Sequence, residues 1–421
     1  MTSRTFGSLR NFNYRLYAAG QLVSNSGTWM QRATQSWLVL QLTGGDATAV
    51  GITTGLQFTP LLFLGLWGGV IADRYPKRRL LIITQTAMGV QALTLGLLVV
   101  SGHAQVWHVY ALAFAMGLAT VVDNPVRQSF VIEMVGPEQL GNAVALNSAT
   151  MNAARLFGPA LAGFLITAID TGPVFLVNAV SYAAVIAGLS LMREHELHPV
   201  ERAARGRRQL REGLRQVRTR PDLRRILLLV AVAATFGQNF QVTIALMAGN
   251  VFRTGAGSYG VLFTALGVGA LAGALLAARR REQSNGLLIL STAGFGACVL
   301  LAGLAPSYWT FMIVLVPAGL TWLTLTTSAN TLIQLSIAPA MRGRVMALYL
   351  LALHGGTPFG APLVGVVSGA FGTRYGLIVG GLVPLAVAVT VGVRYVLARR
   401  GTRAEPVTAP GVPLSDVPAR D

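Results

Sequence analysis

Four ionisable side chains lie inside long apolar stretches of this chain: Asp123, Arg32, Arg155 and His354. A carboxylic acid or an imidazole can bind and release a proton, and a guanidinium can bind an anionic group. Ionisable groups inside apolar segments are costly, so each is a functional hypothesis. Asp123 and His354 are therefore candidates for carrying a coupling proton, although a lone histidine can also be a packed hydrogen-bonding residue. Arg32 and Arg155 could bind an anionic substrate group or neutralise Asp123.

Amides inside the apolar stretches form a second group. Such side chains either face a polar cavity or bond from one helix to the next. We predict a substrate cavity lined by amides together with the two arginines: Gln21, Asn25, Arg32, Gln35, Gln57, Arg155, Gln238, Asn239 and Gln241. A mostly neutral lining with aromatic neighbours such as Trp29 and Phe58 suits an amphiphilic or aromatic solute better than a sugar phosphate.

Charge gathers in the stretch GGVIADRYPKRRLL, residues 68–81, between two apolar runs. Its charged residues are Asp73, Arg74, Lys77, Arg78 and Arg79. Asp73 could accept hydrogen bonds from the amino end of a neighbouring helix. Asp123 and Arg127 are four residues apart and share a helix face. We expect Asp73, Lys77, Asp123 and Arg127 to form a clasp between two halves of the protein, unless the basic residues only set the topology.

The elements that hold these groups are predicted to be membrane helices. Of the 421 residues, 53% are hydrophobic and 11% are charged, whereas soluble proteins have about 25% charged residues. Apolar stretches of ~20 residues recur along the chain, and each could cross a hydrocarbon core of ~30 Å. We predict an all-α membrane protein with twelve spanning helices, near residues 14–41, 47–72, 80–100, 106–127, 139–166, 173–192, 224–251, 258–278, 286–304, 308–333, 343–370 and 375–397.

The distribution of basic residues predicts the direction of these helices. If the N-terminus is cytoplasmic, Arg253 and Arg374 are the only basic residues, of 33 in the chain, in loops on the outer side. Cytoplasmic loops carry such an excess, so both termini are expected in the cytoplasm of a multi-pass plasma-membrane protein. The net charge of +18 follows helix ends and not a folded basic domain, so no nucleic-acid partner is expected.

Two halves of the sequence repeat one another. Gly65 and Gly69 in the second predicted span correspond to Gly269 and Gly273 in the eighth, and GPALAG (158–163) corresponds to GAPLVG (360–365). Small residues at this spacing let membrane helices approach closely, so we expect spans two and eight to lie near spans eleven and five. The predicted units are a first six-helix bundle (1–192), an arginine-rich cytoplasmic loop (193–222), a second bundle (223–397) and a disordered cytoplasmic tail (398–421).

This architecture resembles the major facilitator superfamily. The loop motif of that superfamily is matched at five positions: Gly69, Asp73, Arg74, Lys77 and Arg78. Pro76 stands where the superfamily usually has glycine. The resemblance implies two pseudo-symmetric six-helix bundles, alternating access around a midplane site, and a monomer. It also places a cytoplasmic gate at this motif, with Arg127.

Three stretches resemble the enterobactin-exporter-like branch of this superfamily: NYRLYAAGQLVSNSGTWMQ (13–31), DNPVRQSFVIEMV (123–135) and NAVALNSATMNAARLFGPALAG (142–163). Members of the branch often have an aspartate before the tryptophan late in helix one, where this chain has Ser36 before Trp37. Gly158, Pro159 and Gly163 resemble a motif of antiporters. The branch implies export of siderophores, drugs or secondary metabolites, with uptake as the alternative.

Energy coupling is expected to use a proton. The only lysine, Lys77, is followed by Arg78, so the chain has no G-x-x-x-x-G-K-[ST] phosphate loop, which favours secondary transport. No cofactor is expected. The stretch HELH (195–198) could hold zinc, but an arginine-rich solvated loop without nearby cysteine favours no metal site. A membrane-embedded enzyme would need clustered acids, histidines or nucleophiles, which this sequence lacks.

Overall fold

The structure is a computed structural model that describes residues 6–198, 209–280 and 283–403, and it is helical throughout these ranges. The α-helices are α1 Phe12–Leu42, α2 Ala47–Arg74, α3 Lys77–Val100, α4 Val106–Ile169, α5 Thr171–Ser190, α6 Gln209–Thr219, α7 Pro221–Val232, α8 Phe240–Leu246, α9 Ala256–Arg279, α10 Asn285–Leu304, α11 Tyr308–Ser336, α12 Pro339–His354, α13 Thr357–Phe371 and α14 Thr373–Arg403. Short 3₁₀ helices cover Gly7–Arg10 and Glu194–Glu196. The predicted tail lies outside the described residues from 404 onward.

Ten helical stretches in the described ranges are long and apolar enough to cross a membrane. The difference from the twelve predicted spans has two causes. The first is α1, whose buried amides and hydroxyls lower its apolar character. The second is α4, which runs for 64 residues and contains the fourth and fifth predicted spans. Its one interruption is Gly136, with φ 70° and ψ 176°, a left-handed backbone that favours glycine, followed by Pro137.

Two sets of helices pack in the same way. In the first half, α2 packs on α4 and α3 packs on α5; in the second half, α9 packs on α11 and α10 packs on α14. The pair α9 and α11 corresponds to α2 and α4, and the pair α10 and α14 corresponds to α3 and α5, each six predicted spans later in the chain. The halves meet where α2 contacts α13 and where α4 contacts α9. These are the second and eleventh spans and the fifth and eighth spans, so the predicted neighbours are confirmed.

The glycines at these two contacts include Gly163 and Gly365 of the predicted GPALAG and GAPLVG motifs but not the G-x-x-x-G pairs of the second and eighth spans. A Cβ built on Gly51 would lie 2.6 Å from the carbonyl oxygen of Ala361, and one on Gly163 would lie 2.4 Å from the Cα of Gly260. Gly269 instead faces the carbonyl of Val316 in α11, at 1.7 Å from its hypothetical Cβ. A Cβ on Gly69 would meet no atom within 4 Å. The contacts between halves therefore lie nearer the other end of α2 than the G-x-x-x-G pair.

Two of the predicted spans are broken. The seventh consists of α7, a π-helical turn at Ala233–Gly237, a non-helical step, α8, and a second π-helical turn at Met247–Val251. The eleventh ends at His354 and resumes at Thr357. The breaks touch, because a Cβ on Gly360 would lie 1.8 Å from the carbonyl oxygen of Thr235. The sequence predicted continuous helices at both places, and π-helical turns and helix breaks are frequent at functional sites.

Candidate functional site

Among the described residues, the hydrogen bonds that join the two halves lie at one end. At the end with the α1–α2 loop, the side-chain amide of Asn250 donates to the carbonyl of Gly45 at 2.8 Å, and the Tyr259 hydroxyl donates to the carbonyl of Ala33 at 3.2 Å. We call this the closed end. At the opposite end, a Cβ on Gly141 or Gly343 would meet nothing within 4 Å. We call this the open end.

An arginine–aromatic cluster lies between the halves. The guanidinium carbon of Arg32 is 4.8 Å from the ring centre of Trp29 and 5.3 Å from that of Phe58. The guanidinium carbon of Arg155 is 5.0 Å from the Trp29 ring. Each such contact stabilises by about 0.5–2 kcal/mol, but it leaves the positive charge uncompensated. His354 of α12 lies within electrostatic range of both arginines, so the cluster faces the second half.

Helix α4 brings Arg155 to this cluster through a glycine. A Cβ on Gly158 would lie 2.6 Å from the Cβ of Trp29 and 2.9 Å from the carbonyl of Ser26. The helix-five motif of Gly158, Pro159 and Gly163 therefore packs α4 against α1 on one side and against α9 on the other. Close approach at Gly158 places the preceding turn, with Arg155, beside Trp29.

Asp123 belongs to a different, buried network. Its carboxylate accepts from Arg127 at 3.0 and 2.5 Å, from the Thr84 hydroxyl at 2.9 Å and from the Gln85 amide at 2.8 Å. Arg127 also donates to the Asn25 side chain at 2.7 Å. Asp123 is 1% exposed, so these donors replace its water. The network ties α1, α3 and α4 together within the first half, and the carboxylate is held as an ion by four donor contacts.

This geometry corrects two predictions. Arg32 and Arg155 do not neutralise Asp123, because Arg127 does so. In the predicted clasp of Asp73, Lys77, Asp123 and Arg127, the last three residues form their ion pairs within the first half and not with the second. The i, i+4 spacing correctly placed the last two on one face but could not show which neighbours that face meets.

The basic residues of the charged turn also bind within the first half. Lys77 forms an ion pair with Glu133 of α4. Arg78 donates to two carbonyl oxygens at the end of α5, at 2.6 and 2.8 Å, and pairs with Glu194. Glu133 was not among the predicted site residues, although an acid ten residues after Asp123 in a helix near the charged turn was a usable signal. Lys77 and Arg78 thus fasten the start of α3 to α4 and α5.

The remaining motif residues lie at the open end. Asp73 is half-buried and takes part in an interaction, Arg74 is exposed, and Gly69 has open space beside it. The superfamily motif, at which a gate was predicted, therefore lies at this end of the first half.

The amides differ from the prediction of a cavity lining. Asn25, Gln35 and Gln57 are buried, and they bond to Arg127, to the carbonyl of Val109 at 3.4 Å and to the sulfur of Met116 at 3.2 Å. Gln21 is also buried. Interhelical bonding, the alternative reading, applies to the three bonded amides.

Three further amides come from the broken seventh span. Gln238 and Gln241 are half-buried, whereas Asn239 is buried and donates to the carbonyl of Thr235 at 2.8 Å. Gln238 and Asn239 form the non-helical step between the π-helical turn and α8. The sequence showed a polar patch at this place but not the break in the helix.

Comparisons with known proteins agree with this architecture. A family model described as transmembrane secretion effector matches residues 3–410. The staphyloferrin A transporter of Staphylococcus aureus (strain NCTC 8325 / PS 47) is 22% identical over 348 residues, covering 82% of this chain and 87% of the relative. The enterobactin exporter EntS of Escherichia coli O81 (strain ED1a) is 26% identical over 364 residues, covering 81% and 82%.

Two solved structures show a similar fold. A bacterial homologue of the human lysosomal transporter Spinster, inward-facing and unoccupied, aligns with a TM-score of 0.71 at 14% identity, covering 94% of this chain and 99% of that chain. A POT family transporter in complex with a thioalcohol-conjugated peptide aligns with a TM-score of 0.72 at 11% identity, covering 93% and 96%. At these identities the likeness concerns the fold alone.

Proposed function

The chain belongs to the transmembrane secretion effector family of the major facilitator superfamily, and we propose that it exports a small organic molecule across the bacterial plasma membrane by alternating access. Its relatives and its fold are those of transporters, not of enzymes. The relatives with siderophore names make a siderophore or a comparable secondary metabolite the first substrate class to consider. Both halves that enclose the site come from one chain, so we take the monomer as the working unit.

The observation that carries this proposal is the pairing of two similarly packed sets of helices that are hydrogen-bonded to each other at one end. Asn250 and Tyr259 bridge the halves at the closed end, while glycines at the open end have free space beside them. The arginine–aromatic cluster lies between the halves. A carrier moves its substrate by rocking two such halves around a site of this kind, and each ligand shifts the population of the two states.

We propose that twelve spans cross the membrane, with both termini in the cytoplasm. Gly136 divides α4 into two spans, and α1 supplies another that is polar because its amides bond inward. The excess of arginine at the open end supports its placement in the cytoplasm. The described state is then inward-open.

Proton antiport is the coupling that we propose, with His354 as the leading carrier. Four donor contacts from the first half surround the Asp123 carboxylate. His354 is half-buried beside the cluster and ends α12 at the helix break. A carrier group must reach water from both sides in turn, and a residue between the halves can do so.

The test of export is a comparison of metabolites in the native host. Deleting the gene should leave at least one small organic molecule enriched in the cells and depleted from the medium, and a plasmid copy should restore the distribution. Mass spectrometry of both fractions gives the direction. The opposite redistribution would establish uptake, and no redistribution under any growth condition, including iron limitation, would contradict transport of a metabolite.

The exported molecule then provides a test of coupling. Everted membrane vesicles that hold equal amounts of wild type, His354→Gln and Asp123→Asn should be compared with and without a pH gradient. We expect His354→Gln to lose the acceleration by the gradient while keeping exchange of substrate across the membrane. If only Asp123→Asn loses the acceleration by the pH gradient, and its thermal stability is unchanged, Asp123 is the proton carrier.

A further inference from the structure

The arginine–aromatic cluster has a feature that alternating access does not require: it is positively charged and has no counter-ion. Among the described residues, no acid forms an ion pair with Arg32 or Arg155, and neither guanidinium takes part in a hydrogen bond. The Nε atom of each is buried without a partner. Asp123, the acid that could have served, is bound to Arg127.

We propose that Arg32, Trp29 and Arg155 form the binding site for the negatively charged part of an aromatic or amphiphilic organic anion. This inference rests on the proposed transport function and names the substrate class of that site. Each guanidinium carbon is about 5 Å from the same ring, so the two charges stand no more than about 10 Å apart. One carboxylate or phenolate could contact both, and a molecule with two such groups could pair with each.

The charges explain why the ligand is an anion. A half-buried cation whose buried N–H group has no partner is destabilised, because nothing replaces the water that this group loses. The stacking on Trp29 positions both guanidiniums but cannot neutralise them. A ligand with a carboxylate satisfies the free N–H groups with charge-assisted bonds, which are the strong ones. A neutral or cationic ligand leaves the donors unpaired or adds repulsion.

The aromatic walls explain why the anion is an organic one. Phe58 of α2 is the second aromatic ring in contact with Arg32. Its ring centre is 5.3 Å from the guanidinium carbon, and its side chain is only half-buried. Trp29 is half-buried as well. Flat apolar surfaces beside the charges favour a ligand that joins an acidic group to a ring or an alkyl chain, and they offer no advantage to a small inorganic anion.

The test uses purified full-length protein in a neutral detergent and two xanthene dyes. Carboxyfluorescein is an anion at neutral pH, and rhodamine 123 is a cation with the same three-ring core. Fluorescence polarisation should show that the wild type binds carboxyfluorescein and not rhodamine 123. Arg32→Gln and Arg155→Gln should each weaken binding by at least about tenfold, since each removes a charge-assisted bond. Arg32→Lys, which keeps the charge, should lose less.

The matched control is Arg279→Gln, at the exposed end of α9. It should bind carboxyfluorescein as the wild type does. If Arg279→Gln loses as much carboxyfluorescein binding as Arg32→Gln and Arg155→Gln do, the dye responds to general surface charge, and the assignment of the site is wrong. Failure of the wild type to bind carboxyfluorescein, or equal binding of both dyes, would overturn it as well.

A second measurement needs no ligand. Removing an uncompensated buried charge should leave the thermal midpoint of the empty protein equal or raise it, so Arg32→Gln should not melt below the wild type. Arg127→Gln, which strands Asp123, should melt well below it. If the two variants fall alike, Arg32 is a structural residue and the proposal is wrong. A redistributed metabolite that is neutral or cationic would overturn the anion site while leaving export intact.

Discussion

At the scale of the residue, three buried or half-buried arginines of the first half have different surroundings. Arg127 has a carboxylate and an amide as partners, whereas Arg32 and Arg155 have aromatic rings. The same residue type therefore serves as a structural ion in one place and as a free positive charge in another. Only the partner distinguishes the two roles, and the partner is a property of the fold.

The structural role of Arg127 gives a prediction about stability. Arg127→Gln should lower the free energy of unfolding by about 3–5 kcal/mol, because it leaves Asp123 buried without its counter-ion. Thermal or denaturant unfolding in detergent measures the change, with Arg279→Gln as the exposed control. A loss below about 1 kcal/mol would mean that the pair is not buried in the folded protein as described.

At the scale of the element, the broken seventh and eleventh spans share one contact region. The carbonyl of Thr235 in the π-helical turn lies against Gly360, and the Thr235 hydroxyl lies against Gly356. His354 is the last residue before the break in the eleventh span. The candidate proton carrier therefore stands at an element boundary that packs close to the π-helical turn.

This contact predicts a difference between two glycines of the same span. Gly360→Ala should destabilise the protein by about 1–3 kcal/mol, because its Cβ would stand 1.8 Å from the Thr235 oxygen. Gly343→Ala places its Cβ in open space within α12 and should stabilise by up to about 1 kcal/mol, since alanine is the better helix former. Thermal unfolding of the two variants provides the comparison. Equal effects would show that the breaks do not touch.

At the scale of the whole molecule, the closed end depends on backbone contact between the halves. Gly163 of α4 meets Gly260 of α9, where neither position has room for a side chain. In the proposed alternating access, such contacts would act as a latch that exists in only one of the two states. Substitution there should change the balance of states rather than the fold of either half.

The latch predicts a shift in population. Gly163→Val should prevent closure of this end, because its Cβ would lie 2.4 Å from the Cα of Gly260, and the open end should close instead. Spin labels on cysteines at Arg79 and Arg342, both exposed at the open end, should move closer together in a Cys298→Ser background. Gly141→Val, with free space around it, should leave the distance distribution unchanged. Unchanged distances in Gly163→Val would contradict the latch.

The charge of the proposed cargo predicts how transport is driven. An anion that leaves and a proton that enters both carry positive charge inward, so the membrane potential should drive export by ~2.3 kcal/mol per charge for each 100 mV. Clamping the potential at zero with valinomycin and potassium should slow the initial rate of efflux in proteoliposomes. Nigericin removes the pH gradient, so its effect on the rate of efflux measures the contribution of proton coupling separately. An efflux rate that does not change with valinomycin would contradict net movement of charge during transport.

Much of the fold followed from the sequence, because hydropathy and turn residues act locally. The apolar stretches placed most spans, and the repeat between halves predicted that the second and eleventh spans, and the fifth and eighth, are neighbours. Ten helical stretches, and not twelve, are long and apolar enough to cross a membrane. The difference arises because α1 is too polar and because α4 counts as one helix although Gly136 divides it. The breaks at Gln238 and after His354 were not predicted, because packing between the two spans decides them.

The sequence by itself determined that this is a helical membrane carrier, which ionisable residues lie at membrane depth, and that Asp123 and Arg127 share a face. These properties depend on composition and on neighbours within one or two helical turns. Only the tertiary structure decided that Lys77 binds Glu133 and that Arg127 pairs with Asp123. It also decided that two arginines without a counter-ion contact the ring of Trp29. Arg155 lies more than 120 residues after Trp29, and only helix packing at Gly158 brings them together.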